Sequence, residues 1–117
     1  MAREPAEQLY HRLRAMHDEA IEAGRYELGY HVLAAALHAA EELDSLELLT
    51  EIGALAGERQ RMLDDLQPEH RLSSNAAHRR GNSAQYSALV SIAAAARGRI
   101  SADRTLTRSR NARETRE

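Results

Sequence analysis

Apolar residues recur at helical spacing from Leu9 to Leu66, and residues that end helices divide this part of the chain into three stretches. Pro5 suits a first helical turn, where its missing N–H does no harm. Gly24 closes the first stretch, since glycine adopts the left-handed conformation at helix ends. Asp44 or Ser45 is a good N-cap for the third, and Pro68 stops it. The pattern predicts an all-α fold with an antiparallel three-helix body, over about residues 6–23, 26–43 and 46–66.

Each predicted helix carries an apolar stripe that we expect to face the core. In the first helix, residues at spacings of four, three and four form this stripe: Leu9, Leu13, Met16 and Ala20. The stripe of the second comprises Tyr26, Tyr30, Leu33, Leu37 and Ala40. That of the third comprises Leu48, Ile52, Leu55, Met62, Leu63 and Leu66.

The composition favours helices and excludes several kinds of chemistry. The chain has no Phe or Trp and four Tyr, so Ala and Leu must fill most of the core. It has no Cys, which excludes a disulfide scaffold, a thiolate zinc site and a cysteine nucleophile. All 16 basic residues are Arg, which excludes a Schiff-base or P-loop lysine. The Arg bias reflects either coding in a GC-rich genome or selection for bidentate phosphate and carboxylate contacts.

The charge divides the chain into an acidic body and a basic end. Residues 1–70 carry 6 Arg and 15 acidic residues, a net charge of −9, whereas residues 71–117 carry 10 Arg and 3 acidic residues, or +7. The basic end is poor in large apolar residues beyond Gly98, so we expect a flexible, disordered tail there. The predicted organisation is an acidic helical body at 1–68, a polar loop at 69–82, a weaker fourth helix at 83–97 and a basic tail at 98–117. We expect a fragment of residues 1–72 to fold by itself.

The segment GRYELGYHVLAAALHAA, residues 24–40, resembles the turn and second helix of a tetratricopeptide (TPR) repeat. The residues that carry the resemblance are Gly24, Tyr26, Gly29, Leu33, Ala36 and Leu37. The first helix departs from the family pattern at His17 and Ala20, and Glu41 replaces the closing proline. The resemblance covers about residues 10–42 and does not recur at the next repeat position of the family. It implies a tight helical hairpin and a function in protein binding.

Arg59 interrupts the apolar stripe of the third helix between Leu55 and Met62. An unpaired buried guanidinium would be costly. One interpretation is that its methylene stem covers the core while its charged end reaches water. The others are an ion pair with Asp18 or Glu22 of the first helix, or a place at a subunit interface.

Six histidines suggest metal binding, but their spacing does not support it. Three helical pairs place a carboxylate four residues from a histidine: Glu7 with His11, Glu27 with His31, and His38 with Glu42. Such pairs also occur as ordinary contacts on helix surfaces. The sequence lacks His-Glu-x-x-His, a Gly-x-Ser-x-Gly elbow and a phosphate-binding glycine pattern. We therefore predict a non-enzymatic protein without a metal site or cofactor.

The basic end offers a second class of function, nonspecific binding of nucleic acid. Residues 97–117 contain no aromatic side chain that could stack on bases. A solvated tail, or one held loosely on its own acidic body, explains the same charges. The candidate contacts to a polyanion or a protein partner are Arg79, Arg80, Arg97, Arg99, Arg104, Arg108 and Arg110.

The leading functional prediction is a small non-catalytic helical module that binds an unidentified protein, as an adaptor or regulatory subunit. A homodimer is also expected, since the three predicted body helices leave no evident packing partner for Tyr86, Leu89 and Val90 of the fourth helix. The N-terminus lacks the apolar stretch of a signal peptide. The longest apolar run, 88–96, is too short to span a membrane. We therefore expect a cytoplasmic protein without a membrane contact.

Overall fold

A computed structural model describes residues 3–116 of the chain and the side chains of residues 5–114. This part of the chain is all-α, as predicted, and has no β-strand. Its helices are α1 (Arg3–Glu22), α2 (Tyr26–Glu42), α3 (Leu46–Leu66), α4 (Ser74–Arg79) and α5 (Gln85–Arg116).

The turn between α1 and α2 depends on Gly24. Gly24 has a φ of +75°, which a residue with a Cβ rarely adopts. Its N–H donates to the carbonyl of Ile21, and the N–H of Arg25 donates to the carbonyl of Ala20, at 2.9 and 2.8 Å. These bonds satisfy carbonyls at the end of α1 and reverse the chain, so α1 and α2 form a helical hairpin.

Ser45 caps α3, one of the two residues that the sequence offered for this role. Its side-chain oxygen accepts a hydrogen bond from the N–H of Leu48 at 3.1 Å. Asp44 instead takes the left-handed conformation, with a φ of +50°. Aspartate tolerates this conformation better than most residues do. The left-handed residue reverses the chain within the short connection between α2 and α3.

The connection between α3 and α5 differs from the polar loop predicted at 69–82, because it contains the short helix α4. Ser73 caps α4 by accepting from the N–H of Ala76 at 3.1 Å. The carboxylate of Asp64 accepts from both the N–H and the hydroxyl of Ser74, at 2.7 and 2.6 Å. The Gln60 side chain donates to the carbonyl of Leu72 at 3.2 Å. These contacts hold the connection against the end of α3.

The core differs from the predicted three-helix body, because α5 is a full member of it. α1 packs mainly on α2, and α3 packs mainly on α5. The two pairs meet to form one core, in which α2 contacts both α3 and α5. Tyr86 and Leu89, for which no packing partner was evident from the sequence, are 0% and 2% exposed. The stripe of α5 that faces the core, the core stripe, is Tyr86, Leu89, Ala93, Ala96 and Ile100.

The helix predicted to end at Arg97 continues through Gly98 to Arg116, across the segment for which composition predicts disorder. Glycine inside a helix costs about 1 kcal/mol relative to alanine, which weakens a helix without ending it. Every side chain from residue 101 to 114 is exposed. The second half of α5 therefore extends beyond the bundle and gives a molecule of 62 × 33 × 17 Å.

None of the helices in the described range 3–116 combines the length and the apolar character that crossing a membrane requires.

Candidate interaction surfaces

The seven arginines predicted to contact a partner do not form one surface. Arg79 and Arg80 lie at the end of α4, and Arg79 is 3.6 Å from the carboxylate of Glu69. From the start of α5 to Arg108 the helix rises by about 35 Å, at about 1.5 Å per residue. The arginines of α4 are thus separated from the outermost ones by most of the length of α5.

Three of the seven arginines contact the protein's own helical body. Arg97 donates to the hydroxyl of Thr50 at 3.1 Å, and Arg104 donates to the carbonyl of Asp44 at 2.9 Å. Arg99 pairs with the carboxylate of Glu41 at 3.3 Å. These contacts partly occupy the guanidinium groups nearest the body.

The remaining two, Arg108 and Arg110, lie on the exposed half of α5 together with Arg113. None of the three forms a hydrogen bond or ion pair with the residues that the structure describes. At about 100° per residue, Arg108 lies on the flank of Arg104, whereas Arg110 and Arg113 lie on the flank of Arg99. The outer half of α5 thus offers unpaired positive charge on both sides of one helix.

A buried polar cluster joins α1 to α3. The His17 side chain is fully buried, and its Nδ1 lies 2.7 Å from the carbonyl of Gly29. Because a carbonyl only accepts, Nδ1 carries the proton and Nε2 is free to accept. Arg59 Nε donates to that Nε2 at 3.1 Å, and Arg59 Nη2 pairs with Asp18 at 3.0 Å. Of the interpretations proposed for Arg59, the structure contains the pair with Asp18.

The cluster extends to α5 through Tyr86, whose hydroxyl donates to the carbonyl of Tyr26 at 2.7 Å. Burial lowers the pKa of His17, and the nearby Arg59 charge lowers it further, although the bond to Gly29 opposes the shift. Burial also raises the pKa of Tyr86 far above its usual value. The arrangement therefore favours a neutral imidazole and a neutral phenol, which fits a structural role.

The sequence marked His17 only as a departure from the TPR pattern. A signal was present, because Tyr10 and His17 are seven positions apart and share a helix face. Both are 0% exposed. Gly29 has to be small here, since an added Cβ would lie 2.9 Å from Ile21 Cδ1 and 3.1 Å from the Tyr86 hydroxyl.

Two of the His and Glu pairs considered for metal binding have other partners in the structure. His38 Nδ1 lies 3.7 Å from Glu41 rather than beside Glu42. Glu27 binds Arg71, and this ion pair lowers the pKa of the Glu27 carboxyl. Among residues 5–114, no three His, Asp or Glu side chains come close enough together to hold a metal ion.

The α1–α2 hairpin bears an exposed apolar surface. Of the core stripe predicted for α1, Ala20 is buried and Leu13 packs against the core, but Leu9 is 46% and Met16 52% exposed. Across from Met16, α2 presents Leu28, which is 51% exposed, and the partly buried Val32. The apolar members of the shallow groove between the two helices, the hairpin patch, are Met16, Ala20, Ala23, Leu28 and Val32.

Comparison with known proteins yields no relative: no protein-family model, no curated protein and no solved structure matches this chain.

Proposed function

We propose that the protein is a non-catalytic helical module that binds a partner protein through the hairpin patch. The observation that carries the proposal is the exposure of Met16 and Leu28 side by side on one face of a helical hairpin. Contiguous exposed apolar side chains with a polar rim mark interaction sites on soluble proteins. Glu19 and Arg25 provide such a rim here.

The hairpin itself explains why this surface needs a partner. One side of α1 and α2 packs on α3 and α5 through Tyr10, His17 and Tyr30. The other side remains uncovered. In TPR arrays, which residues 10–42 resemble, a neighbouring repeat covers the free face of each hairpin. A partner protein would take the place of the missing neighbour.

The shape of the groove fits an amphipathic helix. Along α1 the apolar side runs from Leu9 through Met16 to Ala23, a rise of about 21 Å, or about four helical turns. Helices recognised in such grooves bury apolar residues at spacings of three and four. Acidic Glu19 and basic Arg25 at the rim would select the direction in which that helix lies.

Affinity capture with matched variants tests this proposal. The full chain is used as bait in extracts of cells that produce it, beside Met16→Glu, Leu28→Glu and the control Leu66→Glu. Leu66 is 66% exposed but lies at the end of α3, away from the groove. We expect a protein that binds the wild type and the control but neither patch variant. The proposal is contradicted if both patch variants capture the same protein as the wild type, or if the wild type captures none. Circular dichroism must show that every bait is folded.

A second candidate function is electrostatic binding of nucleic acid. It is favoured by Arg108, Arg110 and Arg113, which lack partners among the described residues. Three phosphate contacts would make the binding constant fall with salt at a logarithmic slope of about −3. Such binding would be insensitive to base sequence, since no aromatic or base-reading motif accompanies these arginines.

Fluorescence anisotropy with a short DNA duplex tests this candidate. Replacing Arg108, Arg110 and Arg113 together by Gln should abolish binding at low salt. Replacing the exposed Arg12, Arg25 and Arg61 by Gln changes the net charge equally and serves as the control. Equal losses in both triple variants would indicate only a general charge effect and would remove this candidate.

A further inference from the structure

A second stripe of regular spacing lies on the side of α5 that is turned away from the core stripe, and it is separate from the hairpin patch. Its positions alternate at spacings of four and three without interruption from Ala88 to Arg113. This is the a/d pattern of a coiled coil. The members of this outer stripe are Ala88, Ile92, Ala95, Arg99, Ala102, Leu106, Ser109 and Arg113.

Large and small residues alternate within the outer stripe. One of the two positions in each heptad is always Ala or Ser, and the other holds Ile92, Arg99, Leu106 or Arg113. Ile92 is 46% and Leu106 65% exposed, so the large apolar side chains are available. When two such helices lie antiparallel, a and d positions face each other. Each large side chain then meets a small one, and the two backbones can approach closely.

The outer half of α5 also lacks apolar support from the residues that the structure describes. The side chains of residues 101–114 are all exposed, so no tertiary contact buries an apolar face there. A helix of this length is marginal in water without such burial. A partner lying along the outer stripe would supply the missing contacts.

We infer that the occupant is a second copy of this chain, with the two α5 helices antiparallel across a two-fold axis. The charges support this choice. Residues 1–70 carry −9 and residues 71–117 carry +7. Antiparallel overlap brings the basic outer half of each α5 alongside the inner half of the other α5, which packs on the acidic helices of its own chain, whereas parallel overlap would bring the two basic halves together.

Full overlap of the two outer stripes fixes which residues face each other. It sets Leu106 of one copy against Ala95 of the other, and Ile92 against Ser109. Arg99 then lies close to the two-fold axis, where its positive charge is already neutralised by an ion pair. Its guanidinium pairs with Glu41 of the same chain at 3.3 Å. The two Arg99 side chains therefore do not meet as unpaired like charges.

Most of the residues that the sequence offered for self-association are engaged within the monomer. Tyr86 and Leu89 are buried in the core of their own chain, and Arg59 pairs with Asp18. Val90 is 37% exposed but is not a member of the outer stripe. The dimer that we infer therefore uses a different face of α5 from the one that the sequence offered.

The mass in solution tests the dimer. Sedimentation equilibrium of the full chain at tens of micromolar should give twice the chain mass of 13.0 kDa. Leu106→Glu should weaken association at least tenfold, since it places a charge in the stripe without touching the core. Leu66→Glu at the exposed end of α3 is the matched control and should leave the dimer intact. A monomeric wild type, or a Leu106→Glu variant that still dimerises, overturns the inference.

Disulfide cross-linking tests the orientation of the two helices. The chain has no cysteine, so only introduced cysteines can form a disulfide. An equimolar mixture of Ala95→Cys and Leu106→Cys chains should oxidise to the mixed disulfide. Leu106→Cys by itself should not cross-link, because antiparallel overlap separates the two copies of residue 106. Disulfide formation within Leu106→Cys alone would indicate parallel helices and overturn the inference. The outer stripe and the hairpin patch are tested by different substitutions, so either proposal can fail without the other.

Discussion

The two halves of α5 belong to one continuous helix, yet they depend on different interactions. In the inner half, 85–100, Tyr86, Leu89 and Ile100 are nearly or fully buried against α3 and α2. In the outer half, 101–116, the positions that continue this face hold Asp103, Thr107 and polar residues beyond them. Helical propensity is similar along both halves. Burial changes abruptly after Ile100.

This contrast shows that the length of a helix and its contribution to stability are separate properties. The inner half joins the core and covers α3, whereas the outer half projects charge and an apolar stripe into solvent. Most of the stability of a protein helix comes from its buried face rather than from propensity. We therefore expect changes in the inner half to affect folding, and changes in the outer half to affect association.

Removal of both halves should have the largest effect. A fragment of residues 1–72 loses the helix that covers Ile52, Ala56 and Leu63, all now 0% exposed. We expect the fragment to lack a cooperative thermal transition by circular dichroism, contrary to the expectation from sequence alone. A sharp transition like that of the full chain would show that α1–α3 form a sufficient core.

Truncation of Tyr86 should have the next largest effect. Tyr86→Ala removes a buried ring and should lower the free energy of unfolding by about 3–5 kcal/mol. Tyr86→Phe removes only the hydrogen bond to Tyr26 and should cost about 1 kcal/mol. Urea titrations measure both. Leu106→Ala in the outer half is the control and should change the monomer by no more than about 0.5 kcal/mol. If Tyr86→Ala and Leu106→Ala lowered the free energy of unfolding equally, the distinction between the two halves would be wrong.

Acidification should weaken the packing of the inner half on α1, because His17 of α1 lies against Tyr86, beside the pair of Arg59 and Asp18. The folded state holds the pKa of His17 below its usual value, so the unfolded chain takes up the proton first. This contribution to stability is complete above about pH 6.5 and is lost as the pH falls toward the folded pKa.

Urea titrations at pH 7.5 and 5.5 measure this dependence. In His17→Gln the free energy of unfolding should differ less between the two pH values than in the wild type, even if the variant is less stable at both. The exposed His78→Gln serves as the control and should retain the wild-type dependence. A wild-type slope preserved in His17→Gln would assign the effect to another group.

Deletion of residues 106–117, most of the outer half, should have the smallest effect on folding. A chain ending at Thr105 keeps every residue of α5 that the structure describes as buried. At low protein concentration we expect its urea midpoint to stay close to that of the full chain, while the helical signal falls in proportion to the residues removed. A marked loss of stability would mean that residues 106–116 support the bundle.

The sequence predicted the first three helices closely, because their ends depend on local chemistry. The predicted 6–23, 26–43 and 46–66 compare with Arg3–Glu22, Tyr26–Glu42 and Leu46–Leu66. Gly24 and Ser45 act at the ends as their residue types suggest. The end predicted at Gly98 failed because one glycine weakens a helix without providing the turn that ends it.

The candidate surfaces were less predictable, because each depends on how helices are rotated against each other. The buried face of α1 is centred on Tyr10 and His17, so of the predicted stripe it includes Ala20 and part of Leu13 but leaves Leu9 and Met16 exposed. The pair between Arg59 and Asp18 was among the alternatives. The close approach that Gly29 allows was expected, but its contact with Tyr86 was not, since Tyr86 lies far along the chain on α5.

By itself the sequence determined the helical class, the helix boundaries at Gly24 and at Asp44 or Ser45, and the opposite charges of the two ends, because residue type and near neighbours decide these properties. Only the tertiary structure decided that α5 completes the core, that His17 is buried, and that Met16, Leu28 and Leu106 remain exposed. Whether an apolar side chain is buried depends on which other helix reaches it. Alanine-rich helices permit several close arrangements, and the contacts between residues distant in sequence select one of them.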